Sequence, residues 1–267
     1  MIRREPFDDD LAGRNILVVG DQGLGDELFF LRFVPYLRER GARLTYRADP
    51  RIARMIQRSK LFDRVVEDDR AIGDLPGLLG GEAARATPPS SAIPALAARV
   101  RGMASRLRAA GPPPYIGLTW RAGTTGVSGA LSKEAPLADI ARVVGGLEAT
   151  VVVLQRDPSD SELSRLAETI ERAPLDLSAF NVDLEDTLAL VSLLDEYVAV
   201  SNTNVHLRAA CGKTSRVLVP LPGEFRWMVE GQTTPWFAGT AVYREIAGDG
   251  WTPAFEALRR DMDDGPD

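Results

Sequence analysis

Short apolar runs alternating with amphipathic stretches set the rhythm of this chain. Ile16-Leu17-Val18-Val19 is uninterrupted by polar residues, the pattern of a strand covered on both faces. Residues 27–37 follow at helical spacing, with Leu28, Leu31, Val34 and Pro35 near one face. The basic end Arg38-Glu39-Arg40 complements the helix dipole, and Gly41 is placed to end the helix. Arg43 to Arg47 alternates as a second strand, Pro50 to Gln57 reads as a helix, and Phe62 to Val66 begins a third strand. This β-α-β-α-β series predicts an open parallel sheet with right-handed crossovers.

The pattern then loosens. Residues 73–94 are rich in glycine and proline, and Ala95 to Ala110 is helical in character. Gly111-Pro112-Pro113-Pro114 is the strongest breaker in the chain, so the domain boundary is placed there, giving domains 1–110 and 111–267. A second α/β series follows. Strands are predicted at 115–120, 149–154, 197–201 and 216–220, and helices at 137–145, 159–172, 186–194 and 204–211. The helix at 159 has caps at hand in Pro158, Ser159 and Asp160. Two Rossmann-like halves joined by a proline linker are the simplest architecture.

In such sheets ligands sit beyond the carboxyl ends of the strands. Gly20-Asp21-Gln22-Gly23-Leu24-Gly25-Asp26 follows the first strand as G-x-x-G-x-G, which is not the dinucleotide spacing G-x-G-x-x-G. Beyond the later strands lie Arg121, Thr124, Thr125, Ser132 and Lys133, then Gln155 and Arg156, then Pro222, Glu224, Arg226 and Trp227. Ser201-Asn202-Thr203-Asn204-Val205-His206-Leu207 is the most informative segment. Polar side chains, free N–H groups and a positive dipole end meet there, which describes a phosphate or diphosphate receptor. The competing reading is an ordinary cap by Asn202 or Thr203, with His206 bonded locally. Arg121 and Lys133 can add positive charge to the same phosphates, or can be solvated surface charges. Asp26 is placed for general base work, or for simple dipole complementarity. Aromatics such as Trp227 can stack on a base or pack between domains.

Composition narrows the classes. Lys+Arg 32 against Asp+Glu 38 gives a net charge of −6, with no basic block for nucleic acid. One cysteine suits a reducing compartment, and one His with one Cys argues against a structural zinc site. The N-terminus lacks the apolar stretch of a signal peptide, and no apolar run reaches 18 residues, so a cytoplasmic protein with no integral membrane segment is expected.

Taken together, several segments resemble the glycosyltransferase-like domain of bacterial tetratricopeptide-repeat proteins, a relative of the lipopolysaccharide heptosyltransferases. They are Gln22 to Asp26 with Phe29-Leu31-Arg32-Phe33, then Ile116 to Trp120, Val153-Leu154-Gln155 and Ser201 to Leu207. Val217 to Pro220 with Phe225-Arg226-Trp227, and Pro235-Trp236-Phe237 with Tyr243-Arg244, complete the set. The resemblance implies an α/β, GT-B-like fold: two Rossmann-like domains facing a cleft, the N-terminal one reduced, and a last helix near Pro253–Asp261 crossing back. It implies a metal-independent, inverting transferase that moves a sugar from a nucleotide-sugar donor to a hydroxyl acceptor on a glycan, lipid-linked sugar or protein. No cofactor and no metal site are expected.

By the same resemblance Asp26 is the catalytic base. Gly25, Trp120, Arg121, Lys133, Gln155, Asn202, Thr203, Asn204, His206 and Trp227 are the nucleotide-sugar residues. One departure is visible: the heptosyltransferase pattern D-T-x-x-x-H is here Asn202-Thr203-Asn204-Val205-His206, an Asn for Asp and one residue shorter. A non-catalytic binding or scaffold domain is therefore the alternative. A nicotinamide oxidoreductase, using Asp49 after the second strand, is a third reading. No 34-residue helical repeat is traceable.

Overall fold

A computed structural model describes residues 10–19, 23–67, 87–122 and 133–264. The chain packs as two compact units, Met1–Pro94 with Ala210–Gly212, and Ala95–Ala209 with Lys213–Asp267. Gly20 to Gln22, residues 68–86 of the glycine- and proline-rich stretch, and Thr124, Thr125 and Ser132 lie outside the described residues.

In the first unit β1 (Asn15–Val19), β2 (Arg43–Ala48) and β3 (Arg64–Glu67) pair in sequential order, all parallel, as the periodicity predicts. The single helix expected between β1 and β2 is broken. It forms as α1 (Leu24–Phe30), a 3-10 turn (Leu31–Phe33) and α2 (Val34–Glu39). Pro35 supplies the reason, because it has no N–H to donate and its ring crowds the carbonyl of Leu31. The predicted face survives the break: Leu28, Leu31, Val34 and Leu37 are all buried. Gly41 ends α2 at φ +86°, and a Cβ there would lie 3.0 Å from the Ala12 Cα. Asp49 caps α3 (Pro50–Ser59) by accepting the Arg51 N–H at 2.9 Å.

The second unit begins with α4 (Ala97–Ala110) and β4 (Tyr115–Thr119), followed by a small antiparallel pair, β5 (Arg121–Ala122) with β6 (Lys133–Glu134). Then come α5 (Leu137–Gly145), β7 (Thr150–Val153), α6 (Asp160–Ile170), β8 (Leu175–Asp176), α7 (Leu184–Leu193) and β9 (Glu196–Val200). The series closes with α8 (Thr203–Ala210), β10 (Arg216–Val219), β11 (Ala241–Arg244) and α9 (Thr252–Asp263). The described strands of the main sheet run β8-β7-β4-β9-β10-β11, all parallel. The chain therefore builds outward from β4 on one side, returns, and builds outward from β9 on the other. Ile116, Leu118, Val151, Val153, Val198, Val200 and Leu218 form the buried core against α5, α6 and α9.

Three further features differ from the sequence expectation. Strands β8 and β11 and the β5–β6 pair are absent from it, since pieces of two to four residues carry too little periodicity to read. The division between units falls at Pro94–Ala95, not at 111. Helix α4 packs on α7 through Met103 and Leu107, and Arg99 reaches Asp183 and Asp186 at 2.6 Å each. Three prolines dictate an extended backbone, not where packing separates. The last helix, expected to cross back, buries Ala254, Phe255 and Leu258 in the core of the second unit. Among the described residues no helix is long and apolar enough to cross a membrane.

Candidate functional site

The reversal of strand order between β4 and β9 makes a crevice beyond their carboxyl ends, because the two connections diverge to opposite sides. Three linked groups of side chains occupy that rim.

The first is charged. Glu224, on the loop after β10, accepts a hydrogen bond from Lys133 Nζ at 2.7 Å and from the Trp227 indole at 3.2 Å. Arg226 Nη2 lies 3.7 Å from the same carboxylate. Burial alone would raise the Glu224 pKa. The charges of Arg226 and Lys133, with hydrogen bonds from Lys133 and Ser201, outweigh it and hold the carboxyl below its usual range. Arg226 is 5% exposed, and its Nη1 sits 3.3 Å from His206 Nε2. A guanidinium has no acceptor, so Nε2 accepts in this contact and His206 spends that nitrogen on Arg226. The Trp227 ring stacks on Phe237 at 4.9 Å, and His206 meets Phe237 edge-on at 5.4 Å.

The second group is neutral and centres on α8. Asn202 Oδ1 accepts the N–H groups of Asn204 at 2.7 Å and Val205 at 3.1 Å, so Asn202 is the helix cap. Two backbone donors fix the amide orientation, and Nδ2 then donates to the Val200 carbonyl at 2.9 Å and the Tyr197 hydroxyl at 3.3 Å. Tyr197 also bonds the Thr119 hydroxyl at 2.8 Å, joining the ends of β9 and β4. Burial raises the Tyr197 pKa, which keeps the phenol neutral. Asn204 is buried and donates to Asn181 Oδ1 at 3.0 Å, while Asn181 Nδ2 holds the Leu154 carbonyl at the end of β7, also at 3.0 Å. Thr203 is half-buried at the first helical position.

These bonds make position 202 an amide position. Asn202→Asp would set a carboxylate oxygen against the Val200 carbonyl, where a donor now stands. The expected result is a loss of about 1–3 kcal/mol of stability, read as a lowered midpoint in urea unfolding.

The third group fastens β4 to α6. Gln155 Oε1 accepts the N–H groups of Trp120 at 3.1 Å and Arg121 at 3.0 Å. Arg121 forks onto Glu162, with Nε to Oε1 and Nη2 to Oε2 at 3.0 Å each, and donates to the Asp157 carbonyl at 2.7 Å. The buried Trp120 indole donates to Glu162 at 2.7 Å. Glu162 also closes a capping box with Ser159. Led by the Arg121 hydrogen bonds, this environment lowers the Glu162 pKa from 4.5 to about 2.

A depressed acid contributes stability above its unfolded pKa and loses it as pH falls toward the folded one. We therefore expect on the order of 2 kcal/mol, allowing for solvent screening of a partly exposed pair, to disappear between about pH 4.5 and pH 2. Thermal melts of wild type and Glu162→Gln across that range check it: the variant should show the flatter pH dependence.

Of the residues expected from sequence, Lys133, Asn202, Thr203, Asn204, His206 and Trp227 gather around the charged and neutral groups. Trp120, Arg121 and Gln155 meet in the third, where the charge of Arg121 is matched by Glu162. Gly25 and Asp26 belong to the first unit, in the first turn of α1, where the Asp26 N–H bonds the Gly23 carbonyl at 2.8 Å. Asp49, the acid of the nicotinamide reading, forks onto Arg51 at 2.9 and 2.7 Å. Glu162, Tyr197 and Asn181 escape the sequence reading. The S-x-x-E signature at Ser159 marks Glu162 as a cap residue, but nothing local marks its partner Arg121. A Tyr within an apolar strand reads as core, and Asn181 lies in a 3-10 turn without pattern. Among the described residues no group of three or more His, Cys, Asp or Glu side chains converges on a metal position.

Two units of parallel α/β sheet, the second in the Rossmann strand order, are the layout of GT-B glycosyltransferases, and solved structures bear out that fold. The chain is similar to the glycosyl transferase family 9 protein from Veillonella parvula DSM 2008, with TM-score 0.68, 12% identity, and coverage of 94% of this chain and 90% of that one. It is likewise similar to the E. coli ADP-heptose lps heptosyltransferase II, with TM-score 0.66, 13% identity, and coverage of 94% and 98%. The E. coli heptosyltransferase WaaC, solved with ADP, gives TM-score 0.54 at 12% identity, over 94% and 97%. At the sequence level Protein FlbA of Caulobacter vibrioides is 26% identical over 279 residues. That match takes in 91% of this chain and 45% of FlbA, so the chain spans about half the length of that relative. No protein-family profile matches the sequence.

Proposed function

We propose that this chain is a glycosyltransferase that moves a sugar from a nucleotide-sugar donor to a hydroxyl acceptor. The observation that carries the reading is the Lys133–Glu224–Arg226–His206 cluster, with Arg226 and His206 buried and Lys133 and Glu224 half-buried, beside the first turn of α8 at the reversal point of the sheet. Cations and a helix N-terminus at such a point are suited to a diphosphate. The second unit would hold the donor and the first the acceptor. The Asp26 carboxylate would take the proton from the acceptor hydroxyl as its oxygen bonds the anomeric carbon. The bond from that carbon to the diphosphate oxygen breaks, and the nucleoside diphosphate leaves with inversion. Lys133 and the α8 dipole would stabilise the departing charge, the task a metal performs elsewhere. We place the chain with the glycosyltransferase-like domains of tetratricopeptide-repeat proteins, acting in the cytoplasm.

ADP is the first nucleotide to test, because WaaC was solved with it and a second WaaC structure carries ADP-2-deoxy-2-fluoro heptose. Calorimetry with ADP, UDP, GDP and dTDP, followed by ADP-heptose, tests the reading. Absence of binding by all of them overturns it.

One observation favours the alternative, a domain that binds without transfer. Asn202, standing where the resemblance implies a sugar-contacting acid, spends its amide on the backbone and on Tyr197. Binding of ADP-heptose with no release of ADP would establish that reading.

A further inference from the structure

Glu27 is a buried carboxyl that the proposed reaction leaves unused. It is 4% exposed, follows Asp26 directly in α1, and accepts the Tyr46 hydroxyl on Oε2 at 2.5 Å. Tyr46 is itself fully buried in β2 and stacked on Phe62 at 4.6 Å. The other ionisable groups acting on it are Asp49 and Arg51. Burial pushes its pKa up, and the Tyr46 bond opposes that only in part.

Geometry gives this pair a consequence for its neighbour. Successive helical residues point about 100° apart, so a side chain locked into the sheet at position 27 fixes the direction in which position 26 leaves the helix. The Asp26 carboxylate lies back over the start of the helix, with Oδ2 3.6 Å from where a Gly23 Cβ would stand. The helix enters from Gly23, which has no side chain to cap it, and its first turn is closed by the Asp26 and Glu27 N–H groups on the Gly23 carbonyl at 2.8 and 3.0 Å. A first turn without a side-chain cap frays unless tertiary contacts hold it. The Glu27–Tyr46 bond is such a contact, at the carboxyl end of the three-stranded sheet.

We propose that Glu27 is the positioning residue for Asp26: anchored to the Tyr46 hydroxyl, it sets the rotation of the first turn of α1 and so aims the Asp26 carboxylate at the acceptor. This rests on the transferase reading for its effect on rate, but not for its effect on the helix.

The test uses the full chain with Glu27→Ala and Glu27→Gln, since Gln keeps an oxygen for the Tyr46 hydroxyl. Release of ADP from ADP-heptose gives kcat and KM, and hydrogen exchange of residues 24–30 reports the turn. Glu27→Ala should lower kcat by about 10- to 100-fold with KM within about twofold, and should speed exchange in α1 by at least about tenfold. Glu27→Gln should stay within about threefold of wild type on every measure. If Glu27→Ala does not fold, Tyr46→Phe replaces it, with a loss of about three- to tenfold in kcat.

Wild-type kcat in the anchor-removing variant, a change confined to KM, or a Gln variant as impaired as Ala would each overturn the proposal. Should wild type release no ADP, ADP-heptose is not its donor, and the exchange measurement alone decides: unchanged protection in Glu27→Ala overturns the anchoring.

Discussion

Asp26→Asn is expected to cut transfer from ADP-heptose by roughly 10²- to 10⁴-fold while leaving ADP affinity within about twofold of wild type. The amide matches the carboxylate in shape, so the α1 turn keeps its bonds to the Gly23 carbonyl. What it lacks is the ability to take a proton. A hydroxyl attacking an anomeric carbon must lose its proton in the same step, and the contribution of a positioned base lies in that range. Affinity should hold because the charged cluster of Lys133, Glu224 and Arg226 belongs to the second unit and Asp26 to the first. Calorimetry with ADP and a coupled assay of ADP release separate the two quantities. Equal turnover in the variant and wild type would remove Asp26 from the mechanism, and a matched fall in affinity would mean that it contacts the donor.

Arg208→Ala is expected to cost about 3–5 kcal/mol, lowering the melting temperature by roughly 6 to 20 °C. Arg208 is 1% exposed, and its guanidinium serves four carbonyls. It donates to Val191 at 2.7 Å, to Leu194 and Asp195 at 3.0 Å each, and to Thr214 at 2.5 Å. Helix α7 runs straight into extended backbone at Leu194, so a distant side chain satisfies carbonyls that a local cap would otherwise take. Alanine would strand several buried acceptors at once and open a cavity beside α8. Arg208→Lys should recover part of the loss, because an ammonium has three donors but lacks the planar fork. A variant melting within about 2 °C of wild type would show that water or a neighbouring side chain takes over these carbonyls.

Residues with short-range signals were legible in the sequence. Ile16 to Val19 as a strand, the cap at Ser159, and the helix expected at 204–211 and formed at Thr203–Ala210 each follow from a pattern a few residues long. The same holds for Lys133, Asn202 and His206 as members of a polar rim, since strand ends place them there. The interruption at Pro35 was equally present in the chain. Apolar spacing continues through it, and the backbone constraint of the proline outweighs that side-chain pattern.

What the sequence by itself determined is the alternation of buried strands and amphipathic helices, and hence two parallel α/β units with polar segments at their carboxyl ends. Only the tertiary structure decided the strand order that makes a crevice between β4 and β9, and the partners of each charge. Lys133 finds Glu224 ninety-one residues away, and Arg121 finds Glu162 forty-one residues away. Neither pair is encoded in a local period, because a half-buried charge at a sheet rim chooses the nearest counter-charge in space. For the same reason Arg121 reads in the chain as a phosphate ligand or a solvated surface charge, and its pairing with Glu162 is visible only in the fold. Asn202 reads as a weakened acid or as an ordinary cap, and stands as a bonded cap.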